Sequence, residues 1–360
     1  MSSLKNKIDT YALPVAMMIG VVGWPLFVRF QFLMAPLLFL MLFFTFCKIN
    51  PLDLRLRTWH WIVLAVQLLL TFLTWIGLHA LSQLPVPMNA DGVPVVDMQA
   101  LAQGLMLCFL MPTATAAPII AGKLGGSIQN LTTFTLLSNF ITSLIVPLFF
   151  PYVNPLADMS FLEAGWLILQ KVGPVLLGPF ISAWLLRIGY EAWKKHRNAL
   201  REPLFRLPEQ YQFHLTPFWA SMPFYLWACS LIVVIASVTA TLWHADYSFW
   251  TITLLCVGAL LSCIMQYKLG HAIGYRFPAS SHGKDYRDIV INPAAVPTDK
   301  AGISRITAGQ AFGQKNTSLA VWMAQMYLTP MAVIAPAAYI IWQNLFNSYE
   351  LAQAAKGKSI

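Results

Sequence analysis

Long apolar stretches recur along this chain, and two of them are interrupted at their middles by residues that do not stay helical. The interruptions run from Met111 to Pro118 (MPTATAAP) and from Gly309 to Thr317 (GQAFGQKNT). Backbone that leaves its helix at bilayer depth has no water to bond, and lipid offers no partner, so it must line a cavity or lie buried in protein. One such interruption in each half of a chain is the pattern of a secondary transporter, and it marks the expected substrate site.

Composition sets the solvent. With 360 residues, 58% hydrophobic and 10% charged, the chain lacks the charged surface of a soluble protein of this size and reads as an integral membrane protein in a lipid bilayer. Its net charge of +9 resides mostly in short loops without a basic, aromatic-interleaved patch, so membrane topology explains it and nucleic acid is not an expected partner. Cys47, Cys108, Cys229, Cys256 and Cys263 all fall in apolar stretches without CxxC spacing, which points to neither disulfides nor a zinc site. Lys5 and Lys7 precede an apolar run with no small-residue cleavage site, so that run is expected to be the first membrane helix and not a signal peptide.

Apolar segments of about 20 residues fall near 11–29, 31–49, 58–81, 99–121, 128–150, 164–187, 216–243, 247–268, 302–323 and 325–346. With both termini in the cytoplasm, Lys48, Arg55, Arg57, Lys123, Lys194, Arg201, Arg276, Lys284 and Lys300 are inside, and Arg29 alone among the loop cations is outside. Ten helices split near residue 155 into two fives, and an odd number per half inserts the second half inverted: residues 1–155 form one repeat and 156–360 the other. The expected fold is therefore all-α, with helices 4 and 9 broken. The polar stretch from about 270 to 301 is expected to be a cytoplasmic loop.

The two interruptions, each with the helix that follows it, resemble the bile acid:sodium symporter family, bacterial members included. The stretch from Arg305 to Lys358 is similar to that family's ninth and tenth helices through the Trp342-Gln343-Asn344 ending, and Pro112 to Ala116 with Gly125-Gly126-Ser127 follows its fourth helix. The resemblance implies a panel of helices 1, 2, 6 and 7, a core of helices 3–5 and 8–10, and alternating-access transport of amphipathic or small organic anions such as bile-acid-like molecules, steroid sulfates, pantoate or 2-oxo acids. It implies a bacterial inner membrane and substrate contacts from Thr113, Thr115, Gln314, Asn316 and Thr317. Sodium is the one ion it brings, a hard cation that needs several oxygen ligands. Ala117 and Pro118 replace a Ser-Asn pair, Gln310 lies near a glutamate position and Lys315 follows Gln314 where an amide is expected.

Gln67 matches the family's remaining glutamine, and Thr135 matches a hydroxyl in helix 5. The expectation is that the Lys315 ammonium replaces the ion, bridging carbonyls of helix 9 to polar groups such as Gln67 and Gln310. A charge at this depth costs roughly 3 kcal/mol on insertion scales, which argues for a partner or a function. Proton-coupled or facilitative transport, sodium symport through a rearranged site and a non-transporting receptor all stay open. An enzyme is not expected, because neither a Gly-x-Ser-x-Gly elbow nor a nucleotide loop is present. Lys171 is expected to snorkel, Pro174 and Pro179 to kink the sixth helix, and the seven scattered histidines to hold neither metal nor a proton relay. No protein partner is read from the sequence.

Overall fold

A computed structural model describes residues 14–47, 54–85, 87–88, 94–155, 159–200, 217–243, 248–278 and 300–355. The described residues are helical, with no β-sheet beyond two isolated bridges. Helix α1 covers 14–22. After it come α2 (Trp24–Phe27), a 3-10 segment (Val28–Leu33) and α3 (Met34–Phe46), then α4 (Thr58–Ser82), α5 (Met98–Leu110), α6 (Ala117–Lys123), α7 (Ile128–Val153), α8 (Phe161–Leu176) and α9 (Gly178–Leu200). The remainder is α10 (Pro217–Trp243), α11 (Phe249–Arg276), α12 (Lys300–Gly313), α13 (Thr317–Tyr327), a 3-10 turn (Pro330–Val333) and α14 (Ile334–Ala355).

Five helical runs are long and apolar enough to cross a membrane: Trp24–Phe46, Thr58–Ser82, Ile128–Val153, Met222–Trp243 and Phe249–Arg276. A sixth forms if α8 and α9 count as one span bent by 44°. That bend falls at Leu177, between Pro174 and Pro179, where two missing backbone donors weaken the ladder.

Several expected boundaries move. The predicted gap between the first two segments, with Arg29 in a loop, is instead continuous: Val28–Leu33 holds neither Gly nor Pro and tightens into 3-10 geometry, while the turn sits earlier, at Gly23 ahead of Pro25. The last helix starts at Ile334 and not near 325, because Pro330 forces Thr329 into extended geometry and ends α13's run. The expected loop from 270 begins later, since α11 stays helical through Arg276; most of 279–301 lies outside the described residues, as do Lys48, Arg201 and Lys284.

Gly270 and Gly274, inside the stretch read as a loop for its polar composition, stay helical and act in packing. A Cβ on Gly270 would stand 2.5 Å from the Ala308 carbonyl oxygen, and one on Gly274 2.2 Å from that of Ser304. Gly309 and Gly313 on α12 face His271 and Tyr267 equally closely. Between membrane helices lipid removes the hydrophobic drive, so close backbone approach through small residues is what holds α11 to α12.

Packing falls into two neighbourhoods: α3 lies against α8, α9 and α10, whereas α5 lies against α4, α11 and α14, with α12 on α11. Helix α7 joins them by packing on α8. Pro151 removes the donor that would bond the Pro147 carbonyl, and Gly165 of α8 packs over that oxygen, where a Cβ would stand 2.9 Å away. The turn between α6 and α7 requires glycine at Gly125, whose φ is +90°. Ser127 then caps α7 through the Asn130 amide and donates its own amide to the Thr307 hydroxyl at 2.8 Å, tying this turn to α12.

Candidate functional site

Helix α5 stops at Leu110 because Pro112 has no amide to continue the ladder, and α12 stops at Gly313. The two non-helical pieces, 111–116 and 314–316, lie antiparallel, joined at Thr113 and Lys315. The Ala114 amide donates to the Gln314 carbonyl at 3.0 Å and the Asn316 amide to the Pro112 carbonyl at 2.8 Å. Thr113 adds a hydroxyl bond to the Ala311 carbonyl at 2.6 Å, and its amide donates to Ser138 Oγ at 3.2 Å. Each interruption thus supplies the partners that the other one's freed backbone lacks.

The carbonyls left open at the end of α5 are covered from two sides. Gln67 of α4 donates Nε2 to the Leu110 carbonyl at 3.0 Å and the Met111 carbonyl at 3.2 Å. Lys315, 1% exposed, donates Nζ to the Phe109 carbonyl at 3.1 Å and lies 5.0 Å from the centre of the Phe312 ring. A cation there meets the negative end of the α5 dipole and an aromatic face. The ammonium therefore bonds helix α5, not the carbonyls of the second interruption, Gln67 or Gln310 as the sequence led us to expect.

The second interruption is held by a stripe that sequence reading missed. Tyr339, Gln343, Asn347 and Glu350 recur on α14 at spacings of four, four and three, one face of a helix, and all are buried. Tyr339 donates to the Gly313 carbonyl at 2.8 Å, and Gln343 Oε1 accepts the Lys315 amide at 3.0 Å. Asn347 Oδ1 accepts from Gln314 Nε2 at 3.1 Å, and Glu350 Oε2 from Gln310 Nε2 at 2.6 Å. The helical spacing of four polar residues in the last helix was the available signal. It was passed over because Asn347 and Glu350 lie beyond the apolar segment as first drawn.

The other predicted residues divide. Asn316 caps α13 by accepting the Leu319 amide at 3.2 Å, and its Nδ2 has no partner although the residue is 3% exposed. Gln314, Asn316 and Thr317 are buried, Thr115 is half-buried and Ala116 is exposed, so the crossing opens on the side of the first interruption. Thr135 stays apart, its hydroxyl donating to the Leu131 carbonyl of its own helix at 3.0 Å. Gln310 is fully engaged, donating to Glu350 and accepting from Gln314. Lys171 is exposed and touches none of these groups.

Fold and composition together define an all-helical, multi-pass membrane protein. None of the known protein-family models matches the chain, and no curated protein matches it.

Proposed function

We propose that this protein is a secondary transporter of organic anions, related to the bile acid:sodium symporters, in which Lys315 is a built-in cation. The observation that carries the proposal is the pairing of two helix interruptions through backbone bonds, with a buried ammonium at the junction. Unwound backbone held at the meeting of two halves is where transporters bind substrate and ions. The two packing neighbourhoods, α3 with α8–α10 and α5 with α4, α11, α12 and α14, support a panel and a core that rock against each other in two inverted halves.

The anion enters on the open side, at Thr115 and Ala116, with Lys315 across the crossing. Gln314, Asn316 and Thr317 join it when the core moves. A fixed ammonium removes the need for a diffusible sodium ion, and the proposed setting is a bacterial inner membrane with both termini cytoplasmic.

The test needs no known substrate at first. Thermal unfolding of purified wild type and Lys315→Gln in detergent is compared in sodium and choline chloride at matched ionic strength, since an ion that binds only the folded state raises its stability by mass action. We expect no sodium-specific rise in wild type and one in Lys315→Gln. A wild-type rise sinks the built-in cation and restores sodium symport. Taurocholate flux in proteoliposomes then separates a transporter from a receptor that binds without moving its ligand.

A further inference from the structure

The polar stripe of α14 ends on a carboxylate that the anion site does not use. Glu350 is 1% exposed, and its two oxygens face different groups: Oε2 accepts from Gln310, while Oε1 stands 3.3 Å from Nε2 of His271 on α11, Oε1 and Nε2 both being buried atoms with no hydrogen-bond partner. The His271 side chain is 13% exposed against 2% for Glu350, so the pair runs from the protein's edge inward. From Glu350 the contacts continue through Gln310 to Gln314, the first residue of the interruption and the neighbour of Lys315. Gln314 is held a second time by Asn347, which also accepts from Tyr267 at 2.8 Å.

Helix α11 presents His271, Tyr267 and Cys263 to Glu350, and α12 presents Gln310 together with Arg305, whose charge acts on both Glu350 and His271. Helices α5, α10 and α13 and the turn Pro330–Val333 contain no charged residue. An isolated ionised carboxylate buried in this way costs several kcal/mol unless it is paired. A carboxylate facing an imidazole can hold a variable number of protons, and the two groups titrate as a unit.

We propose that Glu350 and His271 form a proton-binding site linked through Gln310 and Gln314 to the interruption at 314–316, so that protons drive the anion carrier described above. What the protons drive rests on that transport assignment, whereas the proton site itself rests on the geometry of the pair. The proton arrives from water at the exposed edge of His271. As His271 Nε2 and Glu350 Oε1 close into a hydrogen bond, the Nε2–H bond of the imidazolium breaks and an O–H bond forms on Oε1, and the reverse step returns the proton to water.

An ionised Glu350 only accepts, which keeps the Gln310 amide turned with Nε2 toward it and Oε1 toward Gln314. A protonated Glu350, once its carboxyl rotates to bring the new O–H from the His271 side to Gln310, donates and competes for that Oε1. The Gln314 side chain is then released, and the interruption beside Lys315 loosens.

Infrared difference spectra of the full-length protein in detergent, taken on a jump from about pH 8 to about pH 5, span the range where such a pair changes charge. We expect a carboxylic-acid C=O band that Glu350→Gln lacks, and a pH-dependent change in hydrogen exchange of peptides covering 311–318. A band retained in Glu350→Gln, or exchange at 311–318 that ignores pH, overturns the proposal. Should Glu350→Gln fail to fold, His271→Asn decides: a shifted band midpoint supports the pair, and an unchanged one overturns it. Gln310→Leu is expected to keep the band and lose the exchange response, and a preserved response overturns the link.

Proteoliposomes loaded with taurocholate, free of sodium, separate the two proposals. Flux accelerated several-fold by a proton gradient supports both. Flux indifferent to that gradient leaves the carrier standing and overturns proton drive. Absence of flux, with band and exchange response intact, counts against the carrier and leaves the proton site supported.

Discussion

Lys315 is the residue at which stability and function separate most clearly. The residue is 1% exposed and its ammonium donates to the Phe109 carbonyl. Burying an ion costs several kcal/mol even after relaxation, and a hydrogen bond to a charged group contributes about 1.5–3 kcal/mol. The α5 dipole and the Phe312 ring add to that bond, so Lys315→Met is expected to abolish taurocholate flux, and a raised thermal midpoint in detergent would mean that the burial of charge outweighs all three. A lowered midpoint would mean that the three together outweigh the burial of charge. Gln67 presents the opposite case, a neutral amide covering two carbonyls. Replacing it by Met leaves the Met111 oxygen buried and unpaired and the Leu110 oxygen with only the Thr142 hydroxyl at 3.4 Å, a loss of about 1–3 kcal/mol, seen as a lower midpoint. A Gln67→Met midpoint at or above wild type would rule out that role.

At the scale of elements, the contact between α11 and α12 is made by glycine. Gly274→Ala forces a Cβ to within 2.2 Å of the Ser304 carbonyl oxygen, which belongs to helix backbone and cannot swing aside. Overpacking of this kind costs about 1–3 kcal/mol, and a clear fall in thermal midpoint is expected. Gly77→Ala on α4 has nothing within 4 Å of the new Cβ and provides the control, with an unchanged or slightly raised midpoint. Equal effects from the two substitutions would show that the approach at Gly274 is not tight.

The same glycines explain what could be read in advance. Pro112 and Pro118 signal an interruption through chemistry local to the chain, and the cluster at Gly309–Thr317 does so through composition, which is why both were legible. Gly270 and Gly274 look identical in sequence whether they end a helix or admit a neighbour, and only the position of α12 decides. Reading the polar stretch from 270 as a loop moved His271 out of the protein and hid its approach to Glu350. The partners of Lys315 were equally out of reach, because Phe109 is separated from it by 206 positions and offers a carbonyl, which every residue carries.

For the whole molecule, the distribution of exposed apolar side chains defines the surface that lipid covers. Trp166 on α8 is 61% exposed, whereas Trp59 on α4 is fully buried. In bilayers with brominated acyl chains, Trp166→Phe is expected to reduce the quenched share of tryptophan fluorescence, and Trp59→Phe to raise it slightly. Equal loss from both would contradict the outward placement of α8.

The crossing of the two interruptions is written in amides and carbonyls: Ala114 to Gln314, Asn316 to Pro112. Peptide groups are common to every sequence, so this fastening tolerates exchange of the side chains around it. On the proposed transport reading, specificity can therefore drift at Thr115 or Ala116 without redrawing the frame that presents them, and a lineage built on this scaffold can change its cargo while its joint stays the same.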